Sequence, residues 1–356
     1  MKTVEQSFQF NDQLDGVVNS LETKKLGCIY ENQLKPILES FEEERKSLMV
    51  KSIIAIVMAT LGFCLIAPNL LLWFNVYSIT RIEKTFNIST SLINSYISNS
   101  FLFCLVGIGL FVVATIFNWL IKFQKKSYKK KFKESIVKKI VNIINSTWYY
   151  SPEGMISSAQ YYASSLFDKK VDKYEGDDLV IGKIKNTEFC LSELHTQSRY
   201  KNYYYTIFKG LFAHIDFNKE IKGKTFVFPE QTIFNKPIQN FNFFRNKGQL
   251  IKLENPEFEK LFIVYGSSQI EARYILTPTI MEAMVKIRKK YKTNISFSFI
   301  GNYVYIALSI KEDLFEPRIF KSGISFNDVE QMDDQFRLIN IIINEMNLNS
   351  RIWSKE

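Results

Sequence analysis

Histidine and cysteine are scarce in this chain, and each scarcity argues against a class of function. There are two histidines and four cysteines among 356 residues. The cysteines are dispersed, without a Cys-x-x-Cys pair or a Cys/His spacing, so the sequence predicts neither a zinc site nor a disulfide framework. Phosphate-binding glycine loops and nucleophile-elbow motifs are also missing from the sequence. We therefore expect no bound metal and no cofactor.

Charged residues are missing from two long stretches in the first third of the chain, residues 52–80 and 85–121. A helix rises about 1.5 Å per residue, so roughly 20 apolar residues cross a hydrocarbon core about 30 Å thick. The alternative, a pair of buried helices in a soluble protein, rarely stays free of charge over more than about 18 residues. The sequence predicts two membrane spans, about residues 53–74 and 101–121. Some fifty mostly polar residues precede the first span, so it does not resemble a cleavable signal.

Lysines crowd the sequence directly after the second span. By the positive-inside rule they place both termini in the cytoplasm and the short loop between the spans outside, as expected for an inner (cytoplasmic) membrane protein. We expect them to contact anionic lipid headgroups, the alternative being a solvated helix face. Because the cluster accounts for much of the net charge of +10, that charge is not evidence for nucleic-acid binding. The predicted membrane-surface residues are Lys122, Lys125, Lys126, Lys129, Lys130, Lys131 and Lys133.

Four regions follow from these patterns: a cytoplasmic helical segment (1–50), a transmembrane hairpin (51–121), a basic juxtamembrane helix (122–150) and a cytoplasmic α+β domain (151–356). In the first region, apolar residues recur at three- and four-residue steps over residues 30–48. We expect that helix to pack on its own chain, with a role in binding a partner or a second copy as the alternative.

The pattern of the last region predicts a mainly antiparallel sheet with helices packed on one face, an α+β fold. Hairpins are predicted at Lys185-Asn186 and, between residues 295 and 308, at Gly301-Asn302. Further strands are predicted at 249–253, 261–266 and 272–276. Helices are predicted at 151–167, 278–291 and 329–346, the second of them capped by Thr277.

Few side chains in this region could carry chemistry. Glu193 and His195 lie two residues apart on a predicted strand, and so share a face where they could form an acid–base pair, although a structural hydrogen bond is the commoner outcome. Glu271 and Arg273 have the same spacing on another predicted strand, where we expect a salt bridge. The acidic run at Asp177 and Asp178 lacks a calcium-loop spacing and is expected to be a solvated turn.

Several strings resemble one bacterial family. They are YEGDDLVIGKI (174–184), SELH (192–195), FKGLFAHIDFNKEIKGKTFVFPE (208–230) and LENPEFEKLFIVYGSSQIEARYILTPTIME (253–282). Together they resemble the DUF3137 proteins, a family of unknown function, over roughly residues 120–320. The resemblance implies a bacterial membrane protein with a cytoplasmic domain, and a LemA-like membrane protein as a partner. It supplies no catalytic residues.

The sequence thus predicts a membrane-anchored cytoplasmic module that acts through protein or anionic-lipid contacts and does not bind nucleic acid, with a homo-oligomer as a further option. The alternative is a membrane-bound enzyme of unrecognised type. Its candidate catalytic residues are then Glu193, His195, Glu271 and Arg273.

Overall fold

Two helices of more than 30 residues begin the described part of this computed structural model. Helix α1 (Lys35–Trp73) follows a π-helical turn at Tyr30–Leu34. Helix α2 (Ser100–Phe132) runs through a π-helical turn (Lys133–Val137) into α3 (Lys138–Ile144), so the chain is helical over Ser100–Ile144. The structure describes residues 24–73, 98–230, 232–233, 236–237 and 246–346. The predicted outside loop lies mostly beyond these residues.

The chain divides into two units. Among the described residues, the helical unit contains Gly27–Phe132 and Pro317–Ser325, and the α+β unit contains residues 24–26, Lys133–Glu316 and the chain from Phe326 onward.

Small residues allow α1 and α2 of the helical unit to pack closely. A Cβ atom added at Gly62 would lie 2.8 Å from the carbonyl oxygen of Gly107, and one added at Gly107 would lie 3.0 Å from that of Gly62. Ala55 and Ala114 are fully buried. Glycine at these two positions therefore permits the backbones to approach where a larger residue would separate them.

The α+β unit contains nine strands in its described residues and five helices besides α3. The strands are β1 (Tyr149–Ser151), β2 (Lys173–Ile184), β3 (Thr187–Tyr200), β4 (Tyr203–Pro229), β5 (Thr232–Ile233), β6 (Lys236–Pro237), β7 (Gln249–Ile251), β8 (Phe262–Gly266) and β9 (Ile295–Ser309). The helices are α4 (Ser158–Ala163), α5 (Pro256–Leu261), α6 (Gln269–Ile275), α7 (Pro278–Tyr291) and α8 (Phe326–Glu345).

The main sheet has seven strands in the order β1-β2-β3-β4-β8-β7, with β9 also paired to β4, and each of its described pairings is antiparallel. Strands β5 and β6 form a separate small sheet. Lys185, with a φ of 53°, lies in the turn between β2 and β3, where the sequence predicted it. Strand β9 folds back at Gly301 (φ 60°), and the backbone N–H of Ser309 donates to the carbonyl of Asn294 across its ends (2.8 Å), as in the predicted hairpin.

Apolar layers cover both faces of this sheet, because alternate residues of each strand point to opposite sides. Leu194 and Phe212 pack on one face with Tyr161 of α4. Leu191 and Leu211, on the opposite face, line a small cavity together with residues of α8. The prediction that the helices would cover a single face was therefore wrong, although the predicted α+β class is confirmed.

Residues 272–275 are helical and Leu276 follows the end of that helix, so the strand predicted at 272–276 is wrong. Ser268 caps α6 by accepting a hydrogen bond from the backbone N–H of Glu271 (3.3 Å). Ser-x-x-Glu is a helix-start signature, and it decides the conformation of a stretch whose β-prone residues predicted a strand. Two other predicted helices are present, with Thr277 capping α7 and α8 closing the described chain. The helix predicted at 151–167 is mostly wrong, because only Ser158–Ala163 is helical and Tyr149–Ser151 forms strand β1.

Candidate functional site

A buried cluster of charged groups lies at the start of the α+β unit. Lys133 is 2% exposed, Asp178 1% and Glu193 7%. Lysine and acidic side chains are almost never buried without partners, so this cluster is the most unusual polar feature among the described residues.

A bulge in β2 brings the acidic groups together. The register of β2 on β3 shifts between Asp177 and Val180, and Asp178 has a φ of 57°, in the left-handed region. The bulge interrupts the alternation of side chains along the strand, so that both neighbouring carboxylates reach the same lysine. Asp177 and Glu193 are paired across β2 and β3, which places Glu193 beside the cluster.

Lys133 is the centre of the hydrogen bonding. Its ammonium donates to Asp177 Oδ2 (2.6 Å) and to Asp178 Oδ2 (2.5 Å). The hydroxyl of Tyr150 donates to the other oxygen of Asp178 (2.5 Å), and the backbone N–H of Leu314 donates to Glu193 Oε2 (3.2 Å). Three backbone segments, the turn before α3, strand β1 and strand β2, are thereby joined through one lysine and Asp178.

One lysine faces three carboxyl groups, so the cluster favours holding an extra proton. Burial raises the pKa of Glu193 to about 7, and the charges of Asp177 and Asp313 add to that rise. Burial likewise raises the pKa of Asp178 to about 7, against the opposing effect of Lys133. Both oxygens of Asp178 accept hydrogen bonds from side chains, whereas Glu193 accepts one from the backbone amide of Leu314. Glu193 is therefore the group that carries the proton.

The carboxylates of Asp177, Asp178 and Glu193 offer oxygens within 4.8 Å of one another. That spacing is small enough for one metal ion to bind all three, and hard cations prefer such oxygens. In this arrangement the ammonium of Lys133 is already bonded to two of the three groups. The chain thus supplies the cation of this cluster itself, and we assign no metal here.

The four candidate catalytic residues, Glu193, His195, Glu271 and Arg273, have different partners and do not form one shared cluster. The Nε2 atom of His195 lies 3.0 Å from Thr206 Oγ1, so its partner differs from that of Glu193. Glu271 accepts hydrogen bonds from the backbone N–H groups of Lys222 and Gly223, at 2.8 Å each. Arg273 donates to the carbonyl of Lys252 (2.9 Å) and lies 3.8 Å from Glu254. The predicted Glu271–Arg273 salt bridge is wrong, because both residues lie on helix α6 and bind different partners.

The histidines add little to an acid–base site. Burial lowers the pKa of His214, whose ring nitrogen lies 2.8 Å from the side-chain nitrogen of Gln160. Burial and the positive charge of Lys209 lower the pKa of His195. Both rings are accordingly neutral near pH 7.

Two predictions about charged residues need correction. Lys133 belongs to the buried cluster and not to the set of exposed headgroup-contacting lysines, whereas Lys122, Lys126 and Lys131 are exposed. Asp178 is buried in the same cluster and does not lie in a solvated turn.

The sequence does contain a signal for Lys133. Ile136, Val137 and Ile140 follow it by three, four and seven residues, and all three are fully buried. A lysine at the start of such an apolar stripe faces the core and needs buried acidic partners. No comparable sequence pattern predicts that Tyr150 binds Asp178 or that β2 contains a bulge at Asp178.

An open groove of about 480 Å³ lies elsewhere in the α+β unit. It is lined by residues of α5, α6 and α7 and their connections, including Asn255, Arg273 and Met281. It brings Arg273 together with Glu254 but includes neither Glu193 nor His195.

Comparisons with known proteins give a family match and one structural likeness. No curated protein matches the chain. The crystal structure of the mycobacterial trehalose monomycolate transport factor A, TtfA, is 12% identical and aligns with 57% of this chain and 93% of its own, at a TM-score of 0.29. Residues 206–348 match the model of DUF3137, described as a protein of unknown function. The match begins later than the predicted likeness, which started near residue 120, and it ends closer to the C-terminus. The match supports the predicted resemblance over residues 206–348.

Proposed function

We propose that α1 and α2 anchor this chain in the inner (cytoplasmic) membrane, and that its α+β unit is a cytoplasmic binding or regulatory module. The observation that carries the proposal is the exposure of the two apolar helices. In the most apolar 18-residue window of each, only 17% and 11% of the residues are buried. A core helix of a soluble protein would be mostly buried, and leaving so many apolar side chains in water would cost about 25 cal/mol for each Å².

Aromatic side chains support a membrane boundary near the end of the second span. Trp119 and Phe123 are 59% and 57% exposed, and their rings contact each other edge to face at 4.7 Å. Lys122, the first charged residue after the apolar stretch, lies between them in sequence. Tryptophan followed by lysine is typical of a membrane–water interface.

The lysines after that boundary support the proposed orientation, with both termini in the cytoplasm. Exposed Lys122 and Lys126 are positioned to meet anionic headgroups of the inner leaflet. A protein partner, for which the resemblance suggests a LemA-like membrane protein, would then meet the α+β unit beside the membrane.

Binding is favoured over catalysis because the candidate catalytic groups are engaged within the chain. Glu193 belongs to a buried cluster, and Glu271 holds two backbone amides. A catalytic acid or base must instead reach a substrate atom.

Reporter fusions test the orientation. A fluorescent protein fused to the C-terminus should fold and fluoresce, whereas alkaline phosphatase at the same place should stay inactive. Replacing Lys122, Lys126 and Lys130 by glutamine should raise the phosphatase signal, while the same change at Lys169, Lys170 and Lys173 in the α+β unit should not. An active phosphatase fusion of the unaltered chain would contradict the proposal. Crosslinking in intact membranes followed by affinity purification then tests for the protein partner.

A further inference from the structure

The helical unit holds a short segment from the C-terminal half of the chain, Pro317–Ser325, which we name the clamped loop. Arg45 of α1 is 4% exposed and binds both oxygens of Glu42, at 2.8 and 2.7 Å. Its remaining nitrogen donates to the carbonyl of Ile319 (2.5 Å). The backbone N–H of Gly323 donates to the Glu42 carboxylate and, together with Arg45, lowers the pKa of that group. One ion pair therefore holds the loop at two backbone positions.

The residues between those two positions are exposed. Phe320 is 58% exposed, and Lys321 and Ser322 are also exposed. The Nζ atom of Lys125 lies 5.7 Å from the centre of the Phe320 ring. The buried Arg45–Glu42 ion pair thus holds a loop whose apolar Phe320 ring is exposed near Lys125 and Lys321. Contact with water does not stabilise an exposed apolar ring.

The clamp lies close to the ends of the charge-free stretches. Lys125 is three residues beyond Lys122, about 4.5 Å along a helix, and Arg45 is six residues before Lys51, about 9 Å. The headgroup layer of a bilayer extends roughly 5–8 Å beyond the hydrocarbon on each side. If the two stretches span a membrane, Lys125 and the Phe320 ring beside it lie near the level of the headgroups, and Arg45 lies at the cytoplasmic edge of that layer.

We propose that the clamped loop is a membrane-contacting element, in which Phe320 inserts into the interface of an anionic bilayer and Lys125 and Lys321 meet the lipid phosphates. An aromatic ring flanked by cations has the chemistry of that layer, apolar toward the glycerol region and positive toward the headgroups. This inference rests on the proposed function, since it requires α1 and α2 to cross the membrane. The alternative is that the clamped loop contacts a second copy of the chain, and the test below distinguishes the two.

Photocrosslinking of the full chain in lipid nanodiscs tests the contact. Phe320 is replaced by p-benzoylphenylalanine, and in a second variant Ile116, which is 55% exposed in α2, receives the same residue. Irradiation in phosphatidylglycerol-containing nanodiscs should give lipid adducts at both positions by mass spectrometry. In pure phosphatidylcholine the adduct at 320 should fall at least twofold, while the adduct at 116 should not change.

Variants of the clamp separate this inference from the anchor. Arg45→Gln and Glu42→Gln should each lower the lipid adduct at 320 at least threefold, whereas Lys46→Gln, at an exposed neighbour, should leave it unchanged. Lipid adducts at 116 without any at 320 would overturn the inference and leave the anchor standing. Adducts at neither position would overturn both, and a crosslinked dimer through 320 would replace the lipid by a second copy.

Discussion

Replacing Lys133 by methionine is the sharpest perturbation of the buried cluster. The substitution keeps the length of the apolar part of the side chain but leaves Asp177 and Asp178 without the ammonium that lies 2.6 and 2.5 Å away. Removing one partner of a buried ion pair costs about 3–5 kcal/mol, because the remaining charge stays buried without compensation. For a domain of roughly 200 residues this corresponds to a fall of about 6–20 °C in the midpoint of thermal unfolding. Circular dichroism of the full chain in detergent measures that midpoint.

Lys131→Met is the matched control, since Lys131 lies two residues earlier and forms an exposed pair with Glu44 at 3.2 Å. Exposed pairs contribute about 0–1 kcal/mol, so this midpoint should fall by no more than about 4 °C. Adding Asp178→Asn to Lys133→Met should recover part of the loss, because the two residues are in direct contact. Equal, small effects of the two lysine substitutions would refute the cluster and would fit two lysines that both lie at the membrane surface.

Three further predictions concern the rest of the chain. The stability that depends on Glu193 is complete below its ordinary pKa of 4.5 and is lost as the pH rises through its raised pKa of about 7. In urea titrations the free energy of unfolding should therefore fall between pH 5 and 8, and Glu193→Gln should remove up to about 3 kcal/mol of that fall. An unchanged dependence on pH in the variant would exclude this role. Gly107→Leu should separate α1 from α2 and lower the thermal midpoint of the helical unit, whereas Gly109→Leu, where a Cβ meets nothing within 4 Å, should not; equal effects would contradict the close packing. Glu271→Ala removes the acceptor of two backbone amides, so the free energy of unfolding measured by chemical denaturation should fall by about 1–3 kcal/mol. The control Glu254→Ala, at an exposed residue, should lower it by less than about 0.5 kcal/mol. Similar losses in the two variants would argue against the contact of Glu271 with these amides.

Much of the fold follows from patterns that are local in the sequence. The long helices follow from unbroken apolar stretches, and the turns at Lys185 and Gly301 from short polar breaks between β-prone residues. These patterns are informative because each depends on residues that are close together along the chain.

The predictions of structure were wrong where two local signals conflicted, or where contacts between distant residues determine the structure. At residues 272–276 the β-prone side chains favoured a strand, but the cap at Ser268 and the glutamate three residues later determine a helix. The sheet is covered on both faces because α4 and α8 pack on opposite sides, which strand periodicity alone does not specify.

The candidate site was the least predictable part of the chain. Lys133 and Asp178 are 45 residues apart, and a bulge brings their side chains together. Lys133 was grouped with the surface lysines because of its position after the span, although the apolar residues that follow it indicated burial. The clamped loop shows the same limit, since Arg45 and Ile319 are separated by 274 residues.

Extraction of membranes with alkaline carbonate tests the central claim, that α1 and α2 anchor the chain, most directly. Membranes from cells that express the full chain are washed at high pH, which removes peripheral proteins, and are then sedimented. We predict that the chain stays in the sediment and enters solution only when detergent is added. Release into the alkaline supernatant without detergent would contradict the account.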